Sequence, residues 1–349
     1  MRDLKQFEAR GLPAEEVAQT LDSITRTFKD GSQINVPESD RMLALQTEVQ
    51  HLADPDSIWD GKHYTCGATS IEFMLMKSSP HLAAGILEHS LRNGSWTEPN
   101  GNKIEVVVPD NAGIGKPQPF GKAEEAFFPT RDNKRTFASL VLNSAITNGA
   151  VQLDAPAMRY VEQNQIYVDD ISGDGPIEKA WWINTKDPKA EPEPFTGQKY
   201  DPFGEISAGM LANQLDLLMP GQKVMVHESQ KDQFKGKDEN ITYLSDQNFE
   251  NELAAKKRDG NLLAMFGVDS AKYIAALNRT GTLPMKIMAT NGEAAGGVDH
   301  FVVVDDYAPG ANGKPGLVHV ANWWGQLGKG WVRSDLFLSA LRKESAERE

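Results

Sequence analysis

Helical periodicity fills the front of this chain and short strand-like runs dominate its last third. That segregation narrows the fold more than any other feature. Val17, Leu21, Ile24 and Phe28 fall on one helical stripe, behind Pro13 and a Glu15-Glu16 pair suited to a helix start, and Asp30-Gly31-Ser32 closes it. Met42, Leu45, Val49 and Leu52 make a second stripe that stops at Ala53-Asp54-Pro55. Residues 1–55 therefore read as a helical lead-in. A pro-region or lid is its functional reading. A flank packed on the core is the plainer one, and it is favoured because nothing marks a cleavage site.

The run Ile71, Phe73, Met74 and Leu75 has the apolar density of a buried helix. A second helix over 81–91 is closed by Asn93-Gly94, a C-cap pair. Pro99-Asn100-Gly101-Asn102 turns into Ile104-Glu105-Val106-Val107-Val108, a hairpin signal, and a Gly/Pro-rich loop follows over 109–121. Phe137, Leu140, Val141 and Ala145 form another helical stripe, and the proline-rich, charged segment 184–204 is the best candidate for an exposed loop. Helices are predicted over 207–219, 248–257 and 270–278, with strands over 223–226, 262–266, 285–289, 301–305 and 317–321. Helices first and strands last favour α+β over a βαβ winding.

Composition excludes several functions. A single cysteine forbids an intramolecular disulfide and any zinc or iron–sulfur site built on several thiolates. A net charge of -13 argues against nucleic acid, which binds basic surfaces. The seven histidines show no His-x-x-x-His spacing, so no metal site is predicted. Gly310 to Gly316 is no phosphate loop, because no Lys-Ser/Thr follows it. No cofactor is expected. No stretch approaches the ~20 apolar residues of a membrane span. Residues 1–17 are charged and lack the apolar core of a Sec signal peptide. Synthesis in the cytoplasm is expected, and secretion would need a route other than a cleaved classical signal.

The lone Cys66 lies in Tyr64-Thr65-Cys66-Gly67-Ala68-Thr69-Ser70, where the first dense helical run begins. A thiol is nucleophilic only as thiolate, and a free cysteine with a pKa of ~8.5 is mostly protonated at neutral pH. The positive end of a helix and an imidazolium neighbour both lower that pKa. Position supplies the first device, and His300, in Asp299-His300-Phe301-Val302-Val303-Val304, can supply the second. Asn322, ahead of Trp323-Trp324-Gly325, can accept from the other ring nitrogen. Gly67 allows close approach of substrate, and the Cys66 amide is a natural oxyanion donor.

Those three elements, in that order, resemble the papain-like cysteine peptidases. Cys66-Gly67 at a helix start, Asp299-His300 ahead of an apolar strand that runs to Tyr307, Asn322-Trp323-Trp324-Gly325 and the turn Gly330-Trp331 carry the resemblance. It implies a helical subdomain packed on a twisted antiparallel sheet, with Cys66 as nucleophile, His300 as general base and acid, Asn322 as its orienter and Trp324 as a shield. It also implies a protein or peptide substrate.

Two departures accompany it. The family's oxyanion glutamine lies six residues before the cysteine, where this chain has Asp60. An ionised carboxylate would repel an oxyanion. Either Asp60 is neutral, or Lys62, His63 or a glutamine such as Gln50 takes over, or catalysis differs. The interval from Cys66 to His300 is also long, which places an insertion around 95–245 inside a catalytic domain of 56–342, followed by a charged tail, 343–349. That insertion points to a specialised bacterial-type enzyme, an effector or toxin included. Glutamine deamidation or acyl transfer by the same triad is the enzymatic rival, and a degenerate papain-like binding module is the non-enzymatic one. His63 is a rival base by proximity alone. Asp305 and Asp306 lie too far along the strand to orient His300. Trp181-Trp182 reads as packing ahead of a substrate groove.

Overall fold

The computed structural model describes residues 2–59, 65–109, 135–169, 176–187, 189, 193–195, 208–234, 238–260, 262–280, 300–322 and 329–343. The chain is α+β with a mixed sheet, and it divides into two compact units at Pro220/Gly221. That boundary falls inside the segment 95–245. No helix among the described residues is long and apolar enough to cross a membrane.

The first unit is mainly helical. Helices α1 (Arg2–Glu8), α2 (Ala14–Lys29) and α3 (Glu38–Ala53) precede α4 (Cys66–Ser78), α5 (Pro80–Asn93), α6 (Phe137–Asp154) and α7 (Ala208–Leu218). Prolines pre-set for helical φ stand just ahead of α2 and α3, at Pro13 and Pro37. Gly94 ends α5 in the left-handed conformation, with φ 64°, as the Asn93-Gly94 pair predicts. Helices α4 and α6 are buried on nearly every face, so the stripe of Phe137, Leu140, Val141 and Ala145 is only part of what α6 buries. The lead-in helices share this unit's core through Phe7, Ala44, Leu45 and Leu52, all buried. Arg10 ties them to the rest by donating to the carbonyls of Leu52 and Lys77 at 2.6 and 2.8 Å.

Strands β1 (Ser95–Thr97) and β2 (Lys103–Glu105) form the predicted hairpin, with Trp96 opposite Ile104. A second antiparallel sheet joins β3 (Met158–Asp169), β4 (Pro176–Asn184) and β5 (Glu193–Phe195). Sequence periodicity does not announce β3 and β4. Strand β5 corrects the expectation of a continuous loop over 184–204: Pro194 lies opposite Trp181 on an edge strand, a position proline tolerates because one side needs no donor.

The second unit is a six-stranded sheet in the order β11-β10-β9-β8-β6-β7, made of β6 (Val224–His227), β7 (Ile241–Leu244), β8 (Ala264–Val268), β9 (His300–Ala308), β10 (Leu317–Ala321) and β11 (Gly330–Arg333). The expected antiparallel sheet is corrected here. Strands β7 and β8 both run parallel to β6, whereas β8 through β11 pair antiparallel. Helix α8 (Phe249–Arg258) connects β7 to β8, a crossover that returns the chain in the same direction. Gly330-Trp331, expected as a turn, opens β11. Helices α9 (Ser270–Thr280) and α10 (Ser334–Leu341) complete the unit, around a core of Phe249, Phe266, Tyr273 and Phe337. The strand predicted over 285–289, the loop over 109–121 beyond Pro109 and all of the tail beyond Lys343 lie outside the described residues.

Candidate active site

Cys66 is the first residue of α4, in the first unit, and is half-buried. A side chain at this position feels the positive end of the helix, because the first-turn amides have no intrahelical acceptor. Thr65, the N-cap, makes no side-chain cap bond; its carbonyl accepts from Thr69 N at 2.8 Å. Gly67 is buried, and a Cβ there would overlap the Leu211 side chain of α7. Close packing of α7 on the first turn is thus a reason for this glycine that the Cys-Gly motif by itself does not reveal.

Helix α4 carries polar side chains into the interior of the first unit, and α6 meets them. Thr69 accepts from Asn143 at 3.1 Å, and Glu72 accepts from Ser139 at 2.7 Å with His51 Nδ1 at 3.4 Å. Next to Cys66, Thr65 Oγ1 accepts from Arg135 at 3.4 Å, and Arg135 pairs with Glu162 at 3.0 Å. Sequence reasoning missed this buried network. Its residues are ordinary in type and come from α3, α4, α6, β3 and the turn ahead of α6, with no spacing that links them.

His300 and Asn322 belong to the second unit. His300 is the first residue of β9 and lies opposite Val268 of β8. Strand β10 runs antiparallel to β9, with Ala321 opposite Val303, so the residue that follows β10 arrives at the end of the sheet where β9 begins. That residue is Asn322. His300 Nε2 and Asn322 Oδ1 are 2.8 Å apart, and both side chains are buried, at 3% and 0% exposure. The amide oxygen can only accept, so Nε2 carries the proton and the lone pair is on Nδ1. Burial pushes the imidazole pKa down to about 4, against the opposing effect of the Asn322 bond. His300 is therefore a neutral base at pH 7.

The aspartates that the spacing argument sets aside are occupied elsewhere. Asp305 accepts from His319 Nδ1 at 2.6 Å, and Asp306 pairs with Lys257 at 2.6 Å. Trp182 packs against Tyr160 with ring centroids 5.3 Å apart, and Gln50 is exposed on α3. Asp60, Lys62, His63, Asp299 and Trp324 lie outside the described residues. Among the described residues, no group of three or more His, Cys, Asp and Glu side chains is placed to hold a metal ion. Two surface hollows of about 300 and 460 Å³ surround Gly94, Val106 and Val107, and no predicted site residue lines them.

Among known proteins, no family model, no curated protein and no solved structure matches this chain.

Proposed function

We propose that the protein is a papain-like cysteine peptidase in which Cys66 is the nucleophile, His300 the general base and acid, and Asn322 the orienting residue. The observation that carries this reading is the buried His300–Asn322 hydrogen bond of 2.8 Å. It selects the tautomer whose Nδ1 can take a thiol proton, and it fixes the ring plane. The helix-start position of Cys66 and the order of the three motifs along the chain add to it.

In this mechanism His300 Nδ1 takes the Cys66 proton, and the thiolate attacks the carbonyl carbon of an amide. The oxyanion is met by the Cys66 backbone N–H at the start of α4. Collapse breaks the C–N bond as His300 returns its proton to the leaving amine, and a thioester remains on Cys66. Water then attacks the thioester, with His300 accepting its proton. The acid product departs and the thiol is restored. Asn322 stabilises the imidazolium that forms at each half-reaction.

An unbiased peptide-cleavage profile of the full chain tests the reading, with ammonia release assayed in parallel. Cleavage that disappears in both Cys66→Ala and His300→Ala, with residual turnover in Asn322→Ala, is the expected result. Ammonia release without cleavage would move the same triad to glutamine deamidation. If iodoacetamide labels Cys66 more slowly than a free thiol and neither product forms, the protein is a binding module and the peptidase proposal is wrong.

A further inference from the structure

A buried cation is tied to the residue that precedes the only cysteine. Arg135, just ahead of α6, donates from Nη2 to Thr65 Oγ1 at 3.4 Å and from Nη1 to Glu162 Oε2 at 3.0 Å. Glu162 Oε1 in turn accepts from the Tyr160 hydroxyl at 2.8 Å. The side chains of Arg135 and Glu162 are 2% and 0% exposed. Arg135 Nε has no hydrogen-bond partner among the described residues.

Two physical considerations lift this arrangement above ordinary packing. A buried ion pair contributes little net stability, because desolvation offsets the attraction, and apolar replacements of similar shape serve a fold as well. Stability alone thus gives no reason to hold a guanidinium one residue from Cys66. Secondly, an N-cap threonine normally accepts from the amides of the first turn. Thr65 makes no such bond, and its hydroxyl turns to Arg135. The side chain that would otherwise cap those amides is thereby held away from them.

We propose that Arg135 is a positioning residue for Cys66, orienting Thr65 at the start of α4 and holding a buried positive charge beside the thiolate. This rests on the reading of Cys66 as the nucleophile. Other ionisable groups stand on the elements packed around α4: Arg41 and Glu48 beside His51 on α3, Asp56 in the short turn Pro55–Ser57, and Asp154 on α6. Glu72, with His51 of α3, is six residues along the helix, about 9 Å from Cys66 at ~1.5 Å per residue. Glu88 of α5 is paired with Arg26 and Arg92, and α7 contributes Asp216. Of the pair itself, Arg135 is the member bonded to Thr65, so its charge dominates there.

The single cysteine makes the test direct, since every thiol alkylation on the full chain, read as loss of free thiol, reports Cys66. The pH–rate profile with iodoacetamide gives the thiol pKa. Arg135→Met should raise it by about one unit and slow alkylation at neutral pH up to ~10-fold. Glu162→Gln should move it the other way. The double variant, which removes both charges and strands neither, should fall between them. Opposite signs from the two ends of one pair are an electrostatic signature that a purely structural role does not produce. If Arg135→Met fails to fold, Glu162→Gln and the double variant still decide. Folded proteins with the wild-type profile in both would overturn the proposal. The peptidase reading stands or falls separately, on turnover: shifted profiles in a protein that cleaves nothing would keep Arg135 and sink the peptidase, and unmoved profiles in an active enzyme would do the reverse.

Discussion

The two units bury very different interiors. The second is held by hydrocarbon: Phe337 meets Phe266, Tyr273 and Phe249 at centroid distances of 5.5, 6.1 and 6.2 Å, over a sheet lined by Val302, Val304, Val318 and Val320. The first runs hydrogen bonds through its middle, with Glu72, Ser139, Thr69, Asn143, Arg135 and Glu162 all buried between apolar neighbours. An apolar core tolerates volume-conserving change and gains free energy from area alone. A polar core contributes little net free energy but penalises any partner left unsatisfied, so it specifies one arrangement sharply. The proposed chemistry follows the same division. The thiol starts a helix stitched by polar contacts, and the imidazole stands at the end of a sheet whose dryness keeps it neutral.

The largest expected effect tests whether both units are needed for one reaction. Cys66→Ala and His300→Ala should each lower turnover by at least ~10³-fold, and the double variant should be hardly worse, because a nucleophile and its base act as a unit. Losses that multiply in the double variant, read from kcat/KM, would separate the two residues and break the comparison at its functional end. Next in size is the apolar core. Phe337→Ala should destabilise the protein by about 3–5 kcal/mol in denaturant unfolding, since its ring is fully buried among three others. A cost near 1 kcal/mol would mean that the aromatic cluster is not what holds the second unit.

Acid and base should stress the two units in opposite directions. Burial, reinforced by the nearby Glu88 carboxylate, pushes Glu48 in the first unit up from 4.5 to about 8. It is protonated in the folded state at pH 7 and ionised in the unfolded chain, so unfolded chains bind fewer protons. Stability from this group is present at low pH and declines by about 1.4 kcal/mol per unit as pH rises from 4.5 to 8. Glu48→Gln should flatten that decline. His300 has the reverse sign. Its folded pKa of about 4 lies below the ordinary 6.5, so stability is lost as pH falls between those values. Unfolding midpoints across pH, with His300→Gln beside Glu48→Gln, check both. A parallel pH dependence in the two variants would contradict the assignment.

The smallest effect sharpens the polar side. Ser139→Ala removes the donor to Glu72 Oε1 and should destabilise the protein by about 1–3 kcal/mol. A neutral outcome in urea unfolding would show that His51 alone satisfies the carboxylate.

Much of this molecule is legible in its local sequence. Pro13, Pro37 and Gly94 mark helix ends because their backbone preferences need no tertiary help. Helix α4 is visible at Cys66, and the β9 and β10 runs are visible with His300 and Asn322 at their ends. Their meeting at 2.8 Å follows once the two strands are antiparallel neighbours. What the sequence determined by itself was therefore most of the helices, the β6, β8, β9 and β10 runs, the α+β segregation and the placing of three chemically suited residues at element ends. Tertiary structure decided the rest. Parallel pairing of β8 with β6 depends on the return of the chain through α8 after β7, and no residue pattern in those short apolar strands encodes direction. Gly67 gained a packing role only when Leu211 arrived from α7. Arg135 and Glu162 are unremarkable charges in the chain, 27 residues apart; burial against Thr65 makes them a pair, because an ion's energy is set by the dielectric and the partners around it and not by its neighbours in sequence.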